Sequence, residues 1–111
     1  MKERVISSSE GDQLLTTLAA LASPHRMRVV AALALGGRNY VSQLAREIGI
    51  SRPLLNLHLQ KLEDAGLVTS KLELSQDGKA LNYFEVTEFA FHITPAAVAD
   101  AAKTLTAKPE T

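Results

Sequence analysis

The fold is decided by residues 41–68, which read VSQLAREIGISRPLLNLHLQKLEDAGLV. One helical apolar pattern ends at Gly49, and a second begins after Ser51, which can cap a helix that has Pro53 in its first turn. Glycine adopts the left-handed backbone that turns a chain sharply. The stretch therefore predicts a short helix, a tight turn and a second helix over 52–65, which is a helix-turn-helix.

The two helices have distinct faces. Ser42 is expected to cap the first. Apolar residues at helical spacing predict the buried faces, which are Leu44, Ala45 and Ile48 in the first helix and Leu55, Leu59 and Leu62 in the second. If the second set points inward, Arg52, Asn56 and Gln60 share a solvent-facing side at intervals of four residues.

The flanking sequence completes a mainly α fold with a small β part. A helix over 12–22 precedes a second one that starts at Ser23-Pro24, is apolar nearly all round and ends at Gly36-Gly37, so we expect it to be central and buried. After Gly66 the pattern predicts a hairpin with strands over 67–74 and 83–87, joined by an Asp-Gly turn. Thr94-Pro95 opens a last helix to about residue 105. We expect one domain over 11–106, with flexible tails at 1–10 and 107–111.

Composition excludes several classes of protein. The 111 residues are 46% hydrophobic, and they include no cysteine, so no disulfide or thiolate metal site can form. No apolar run approaches the roughly 20 residues of a membrane span, and no apolar segment near the N-terminus resembles a signal peptide. We therefore expect a cytoplasmic protein without a membrane partner.

Charge is distributed unevenly, although twelve basic and twelve acidic residues cancel. Residues 24–61 carry a net +5, whereas residues 62–111 carry a net −4. The DNA major groove is about 12 Å wide and admits one helix, where arginine pairs with guanine and asparagine or glutamine with adenine. Any amphipathic helix has a polar side, but the basic middle, the turn and the hairpin together favour DNA binding by the helix over 52–65.

The sequence resembles the ArsR-type winged-helix repressors. Residues 21–30, LASPHRMRVV, look like the opening of that family, and residues 41–68 resemble its helix-turn-helix, including His58-Leu59 and the ending over 62–68. The similarity runs from about residue 18 to 89, and MarR-type regulators share the same elements. The resemblance implies a winged helix-turn-helix, a homodimer that binds a palindromic operator as a repressor, and a hairpin that acts as a wing across the DNA backbone.

The resemblance also implies which residues read bases, namely Arg52, Pro53, Asn56 and Leu57. Family members often have serine or glutamine at the first two of these positions and a basic residue in place of Leu57. Two interpretations of Leu54 and Leu57 stay open: they meet thymine methyl groups, or they pack on neighbouring helices.

Phosphate contacts and dimerisation are predicted elsewhere in the chain. Lys79 on the wing, and Arg38 and Asn39 before the helix-turn-helix, are candidates for phosphate contact. Ser42 is a further candidate for DNA contact. Apolar stripes on the first and last helices would be buried across a two-fold axis, or would instead cover the core of a monomer. The dimerisation residues predicted from these stripes are Leu14, Leu15, Leu18, Val98 and Leu105.

Other functions find little support in the residues. His92 and Asp100 are not spaced on one helix face, and His25 and His58 are expected to be surface or packing side chains. No nucleophile motif or Gly-rich phosphate loop follows a strand, so no enzyme is predicted. The residues predict no cofactor and no metal, and they identify no effector. The serious alternative is a winged-helix domain that binds another protein.

Overall fold

The structure, a computed structural model, describes residues 11–107 and the backbone strand at Arg4 and Val5. In chain order the elements are β1 (Arg4–Val5), α1 (Gly11–Leu21), α2 (Pro24–Gly36), β2 (Asn39–Tyr40), α3 (Val41–Ile48), α4 (Arg52–Asp64), β3 (Val68–Leu74), β4 (Ala80–Val86), β5 (Phe89–Ala90) and α5 (Pro95–Ala102). The predicted tails lie mostly outside the described residues. β1 is an exception, since it pairs in parallel with β5.

Three of the helices begin as the sequence predicts. The hydroxyl of Ser23 accepts a hydrogen bond from the Arg26 backbone N–H, and Ser51 accepts from Leu54 in the same way, each at 3.3 Å. Thr94 caps α5 by accepting from the Ala97 N–H at 3.1 Å. In each case a proline lies in the first turn, where its missing N–H removes no helical hydrogen bond.

The predicted cap at Ser42 is wrong. The N-cap residue of α3 is Tyr40, whose side chain makes no capping hydrogen bond, and Ser42 lies inside the helix. The reason is that Asn39 and Tyr40 form β2, which pairs with Phe84 and Tyr83 of β4. This pairing holds Tyr40 in an extended conformation, so the chain enters the helix at Val41.

The sheet is a three-stranded antiparallel one in the order β2-β4-β3. β3 and β4 pair in register from Val68 opposite Val86 to Leu74 opposite Ala80, so β4 begins three residues earlier than predicted. The hairpin turn contains Gly78 at a φ of 84°. This hairpin is the wing, and β2 ties it to the segment that precedes α3.

The core is built from one face of each helix and from the base of the wing. Its fully buried large side chains include Val29, Leu33, Leu44, Leu55, Leu59, Leu62, Leu67 and Val68. α2 is central, as predicted, because it contacts α1, α3, α4 and β4. It is not buried all round, however, since Met27 is 61% exposed and Leu35 is 90% exposed in the described part of the chain.

α1 and α5 pack against each other at one end of the domain. α5 ends at Ala102 rather than at about residue 105, and the chain continues in tight turns such as that from the Thr104 N–H to the Ala101 carbonyl. Within residues 11–107 no single helix is long and apolar enough to cross a membrane, although α1 and α2, bent by 91° at their junction, pass that test of length and composition together.

Candidate nucleic-acid interface

The turn between α3 and α4 fixes the angle between the two helices. Gly49 has φ 84° and ψ 35°, in the left-handed region, and its N–H donates to the Ala45 carbonyl at 2.8 Å. The Ile50 N–H donates to the same oxygen at 3.1 Å. Leu44 and Ala45 are buried in the core that α3 shares with α4. The predicted helix-turn-helix is therefore confirmed in its turn and in its packing.

The two faces of α4 are as predicted. Leu55, Leu59 and Leu62 are at most 1% exposed and hold the helix to the core. The residues that the sequence assigns to DNA contact on this helix are all exposed, and they are Arg52, Pro53, Asn56, Leu57 and Gln60. No hydrogen bond or ion pair joins Arg52 or Asn56 to another residue in the described part of the chain, whereas the Gln60 amide donates to Asp64 at 2.8 Å.

Two leucines of α4 do not belong to the core. Leu57 is 64% exposed and Leu54 is 37% exposed, so neither is among the buried residues of the core. Of the two interpretations left open by the sequence, packing on neighbouring helices does not describe Leu57. Its side chain lies on the same surface as Asn56.

The start of α4 is positively charged and its end carries two acidic residues, so a polyanion would bind most favourably at the start. Arg52 is the first residue of the helix, where the backbone N–H groups also carry partial positive charge. Glu63 and Asp64 lie in its last turn, and Glu63 accepts a hydrogen bond from the Ser70 hydroxyl at 2.8 Å. The first two turns are therefore the part of the helix that suits a phosphate backbone and the groove beside it.

Arg26 of α2 contacts α4 through His58. The Arg26 Nε–H donates to the Ala20 carbonyl at 2.6 Å, and Nη1 lies 3.3 Å from Nδ1 of His58. The rings of His25 and His58 are 5.2 Å apart. Burial, followed by the charge of Arg26 and then those of His25 and Lys61, lowers the pKa of His58. His58 thus has a packing role, one of the two expected of it. Its arginine partner is 32 residues away, so no local pattern could predict the contact.

The wing and the segment before α3 contain the predicted phosphate contacts. Lys79 is exposed in the hairpin turn, and Ser42 is half-buried in the first turn of α3. Arg38 forms a two-pronged ion pair with Glu73 of β3, and its guanidinium lies 4.3 Å from the centroid of the Tyr83 ring. Asn39 donates to Glu47 at 3.2 Å. Sequence reasoning missed the pairing of Arg38, because Glu73 is 35 residues away and its register depends on the wing.

The predicted dimerisation residues divide into two groups. Leu14 is 9% exposed and packs on Ala101 and Phe91 of the same chain, so it is part of the internal α1–α5 contact. The other four are between 37% and 57% exposed, and they are Leu15, Leu18, Val98 and Leu105. The structure therefore brings α1 and α5 together within one chain. Of the predicted dimerisation residues, Leu14 is buried in this contact and the other four are on the surface.

A clasp at the start of α1 was not predicted. The Gly11 N–H donates to the Thr104 hydroxyl at 2.6 Å, and Asp12 accepts hydrogen bonds from the backbone and side chain of Thr106 at 3.0 and 2.6 Å. A Cβ on Gly11 would lie 2.1 Å from the Ala101 carbonyl oxygen, so only glycine allows α1 to approach α5 this closely.

Among residues 11–107 no three acidic or histidine side chains are grouped so that they could hold a metal ion.

Comparison with known proteins agrees with this geometry. Residues 21–71 match the model of a helix-turn-helix domain family. Over 74 residues the chain is 39% identical to an uncharacterized HTH-type transcriptional regulator of Methanocaldococcus jannaschii, an alignment that covers 67% of this chain and 76% of that protein.

Solved structures share the fold. The homodimeric winged helix-turn-helix DNA-binding domain of a possible ArsR-family regulator from Mycobacterium bovis superimposes with a TM-score of 0.61 at 23% identity, covering 83% of this chain and 74% of that one. The transcriptional repressor BigR of Xylella fastidiosa gives a TM-score of 0.57 at 23% identity, covering 83% and 79%. The chain belongs to the DNA-binding HTH-type transcriptional regulators and has the winged helix-turn-helix fold of the ArsR type.

Proposed function

We propose that the protein acts as a homodimeric repressor that binds a palindromic DNA operator with α4 in the major groove. The observation that carries this proposal is the exposed surface of α4, where Arg52 and Asn56 make no hydrogen bond or ion pair with another residue in the described part of the chain. A regulator of this kind works on chromosomal DNA, so the proposal also places it in the cytoplasm.

Base reading falls to the first two turns of α4. Arg52 can donate two hydrogen bonds to guanine O6 and N7, and Asn56 can bond both N6 and N7 of adenine. Gln60, one turn further on, would have to give up its hydrogen bond to Asp64 before it could contact a base. Ser42 of α3 and Lys79 of the wing are proposed to contact phosphates, which would position the domain without specifying sequence.

The dimer is proposed to form through the paired surface of α1 and α5. Leu15, Leu18 and Val98 on the two helices, and Leu105 just after α5, are exposed apolar residues that a two-fold axis would bury on each protomer. The hydrogen bond from Gly11 to Thr104 ties α1 to the segment that follows α5 within each chain. The relative from Mycobacterium bovis is described as homodimeric. Two copies of α4 would then lie about 34 Å apart, which predicts half-sites one helical turn of DNA apart.

The sign of regulation is proposed from occupancy and from a protein with the same fold. A dimer bound to promoter DNA would exclude other proteins from that stretch, and BigR, which shares the fold, is named as a repressor. Repression is therefore the proposed outcome of binding.

Binding to a random duplex at low and moderate salt tests whether the protein binds DNA at all. We expect weak binding that falls steeply with salt, because the released counterions drive non-specific association. A duplex pool that shows no salt-sensitive binding at all would overturn the proposal and favour a winged-helix domain that binds another protein.

Replacing Arg52 tests sequence reading. On a preferred duplex, Arg52→Ala should cost roughly 1–3 kcal/mol of binding free energy and relax the preference at one position of each half-site. The control is Lys103→Ala, which removes an exposed cation just after α5 and should leave both properties unchanged. An equal loss on every duplex would mean that Arg52 contacts phosphate instead of a base.

A further inference from the structure

Leu57 occupies the centre of the outward face of α4. At about 100° per residue, it points about 165° away from the mean direction of Leu55, Leu59 and Leu62. It is 64% exposed and is not part of the buried core. The helix therefore carries a large apolar side chain at the point that would enter a groove most deeply.

The neighbours of Leu57 make this surface mixed rather than apolar. Pro53 lies one turn before it on the same side, while Asn56 flanks it, and all three are exposed. Together Pro53 and Leu57 form a narrow apolar ridge beside an amide. Such a ridge can donate nothing to phosphate, so its contribution to binding must come from burial of apolar surface.

The major groove offers one apolar group that matches this ridge. Thymine carries a C5-methyl group there, whereas the edges of guanine, adenine and cytosine present hydrogen-bonding atoms. An asparagine next to the leucine suits the adenine edge of a neighbouring pair. The ridge and the amide therefore fit a half-site in which A·T pairs lie under the second turn of α4.

We propose that Leu57 is a specificity-determining residue that selects thymine through its C5-methyl group. This inference rests on the proposed function, since it requires α4 to lie in the major groove. Leu57 would then recognise one base by apolar contact, separately from the hydrogen bonds of Arg52 and Asn56.

Deoxyuridine substitution tests the inference directly. A preferred duplex is selected from a random pool, and each thymine is then replaced in turn by deoxyuridine, which removes only the methyl group. We expect one or two positions per half-site where the affinity of the unmodified protein falls about fourfold, which corresponds to exposing one methyl-sized group. At the same positions Leu57→Ala should bind thymine and deoxyuridine duplexes equally, and Leu57→Met should restore the difference.

Controls separate the residue from the fold and from the proposed function. Leu35→Ala removes a leucine that is 90% exposed on α2, and it should keep the thymine preference. Thermal unfolding of Leu57→Ala should match that of the unmodified protein, since Leu57 lies outside the core. Specific binding without any effect of deoxyuridine, or a methyl effect that persists in Leu57→Ala, would overturn this inference alone. A pool without an enriched sequence would overturn the proposed function together with it.

Discussion

The guanidinium of Arg38 forms two hydrogen bonds with the carboxylate of Glu73, from Nη1 to Oε2 at 2.5 Å and from Nη2 to Oε1 at 2.9 Å. The same guanidinium stacks on Tyr83, whose ring meets that of Tyr40 edge-on at 5.7 Å. This contact connects the segment before α3 to the wing, and it lowers the pKa of Glu73 through the hydrogen bonds from Arg38. The charge of Arg38 is therefore compensated within the chain.

This pairing predicts different roles for Lys79 and Arg38, both of which are candidates for phosphate contact by sequence. Lys79→Gln should reduce the dependence of log K on log salt by about 1 for each phosphate contact that is lost. Arg38→Gln should leave that slope unchanged, because its partner is Glu73. Titrations of a DNA duplex at several salt concentrations measure both slopes. A reduced slope for Arg38→Gln would mean that DNA displaces Glu73.

Two glycines should respond in opposite ways to alanine. Gly49 needs its left-handed backbone to form the turn, and a Cβ there meets no atom within 4 Å, so Gly49→Ala should cost about 1–2 kcal/mol through backbone conformation alone. Gly36 ends α2 without a positive φ and also in open space, so Gly36→Ala should be neutral or stabilise by roughly 0.5 kcal/mol. Chemical denaturation measures both. Equal effects would contradict the role of the turn.

The contact between Arg26 and His58 predicts a dependence of stability on pH. An N–H of Arg26 donates to Nδ1 of His58, so this nitrogen must carry no proton. The pKa of His58 is lowered in the folded state, first by burial and then by Arg26, His25 and Lys61. The unfolded chain therefore binds a proton more readily. The contribution of His58 is fully present above its unfolded pKa of about 6.5 and is lost as the pH falls through the lower folded value.

Thermal unfolding at pH 7.5 and at pH 5.5 measures this effect. The Tm of the unmodified protein should fall more between these values than that of His58→Gln, which cannot bind the proton. His92→Gln is the control, because His92 is exposed, and it should keep the full fall. The same fall in all three proteins would remove His58 from the explanation.

The proposed dimer predicts a sharp effect of charge on α1. Leu18→Glu should shift the protein toward monomer in sedimentation experiments, because two carboxylates would be buried near the two-fold axis without partners. Leu35→Glu places the same charge on the exposed side of α2 and should not change the mass observed. A dimer that survives Leu18→Glu would place the interface on another surface.

Local signals explain what could be predicted from the sequence. Ser51, Pro53 and Gly49 act through backbone conformation and hydrogen bonds within a few residues, so their spacing was enough to predict the turn and the start of α4. The alternation of Leu55, Leu59 and Leu62 with polar residues likewise determined which side of α4 is exposed. These features required no knowledge of distant parts of the chain.

The failures came from distant partners. Ser42 was expected to cap α3, but Tyr40 belongs to β2 and pairs with Tyr83, so the helix begins at Val41 and Ser42 lies inside it. The composition of α2 could not show that Leu35 is exposed, because burial depends on which other elements pack against the helix. Gly11 and Thr104 are 93 residues apart, so nothing in the local pattern indicated their hydrogen bond. The candidate site could be predicted on α4, where it depends on helix spacing, but not at Arg38, where it depends on the register of the wing.

Sequence-specific DNA binding by a homodimer through α4 can be tested by selecting bound sequences from a random duplex pool. We expect an enriched palindrome whose half-sites lie about 10 base pairs apart from centre to centre, since two copies of α4 would enter successive major grooves on one side of the DNA. A single enriched half-site without a symmetric partner would contradict the dimer. A pool that stays random after repeated rounds would contradict sequence-specific binding by α4.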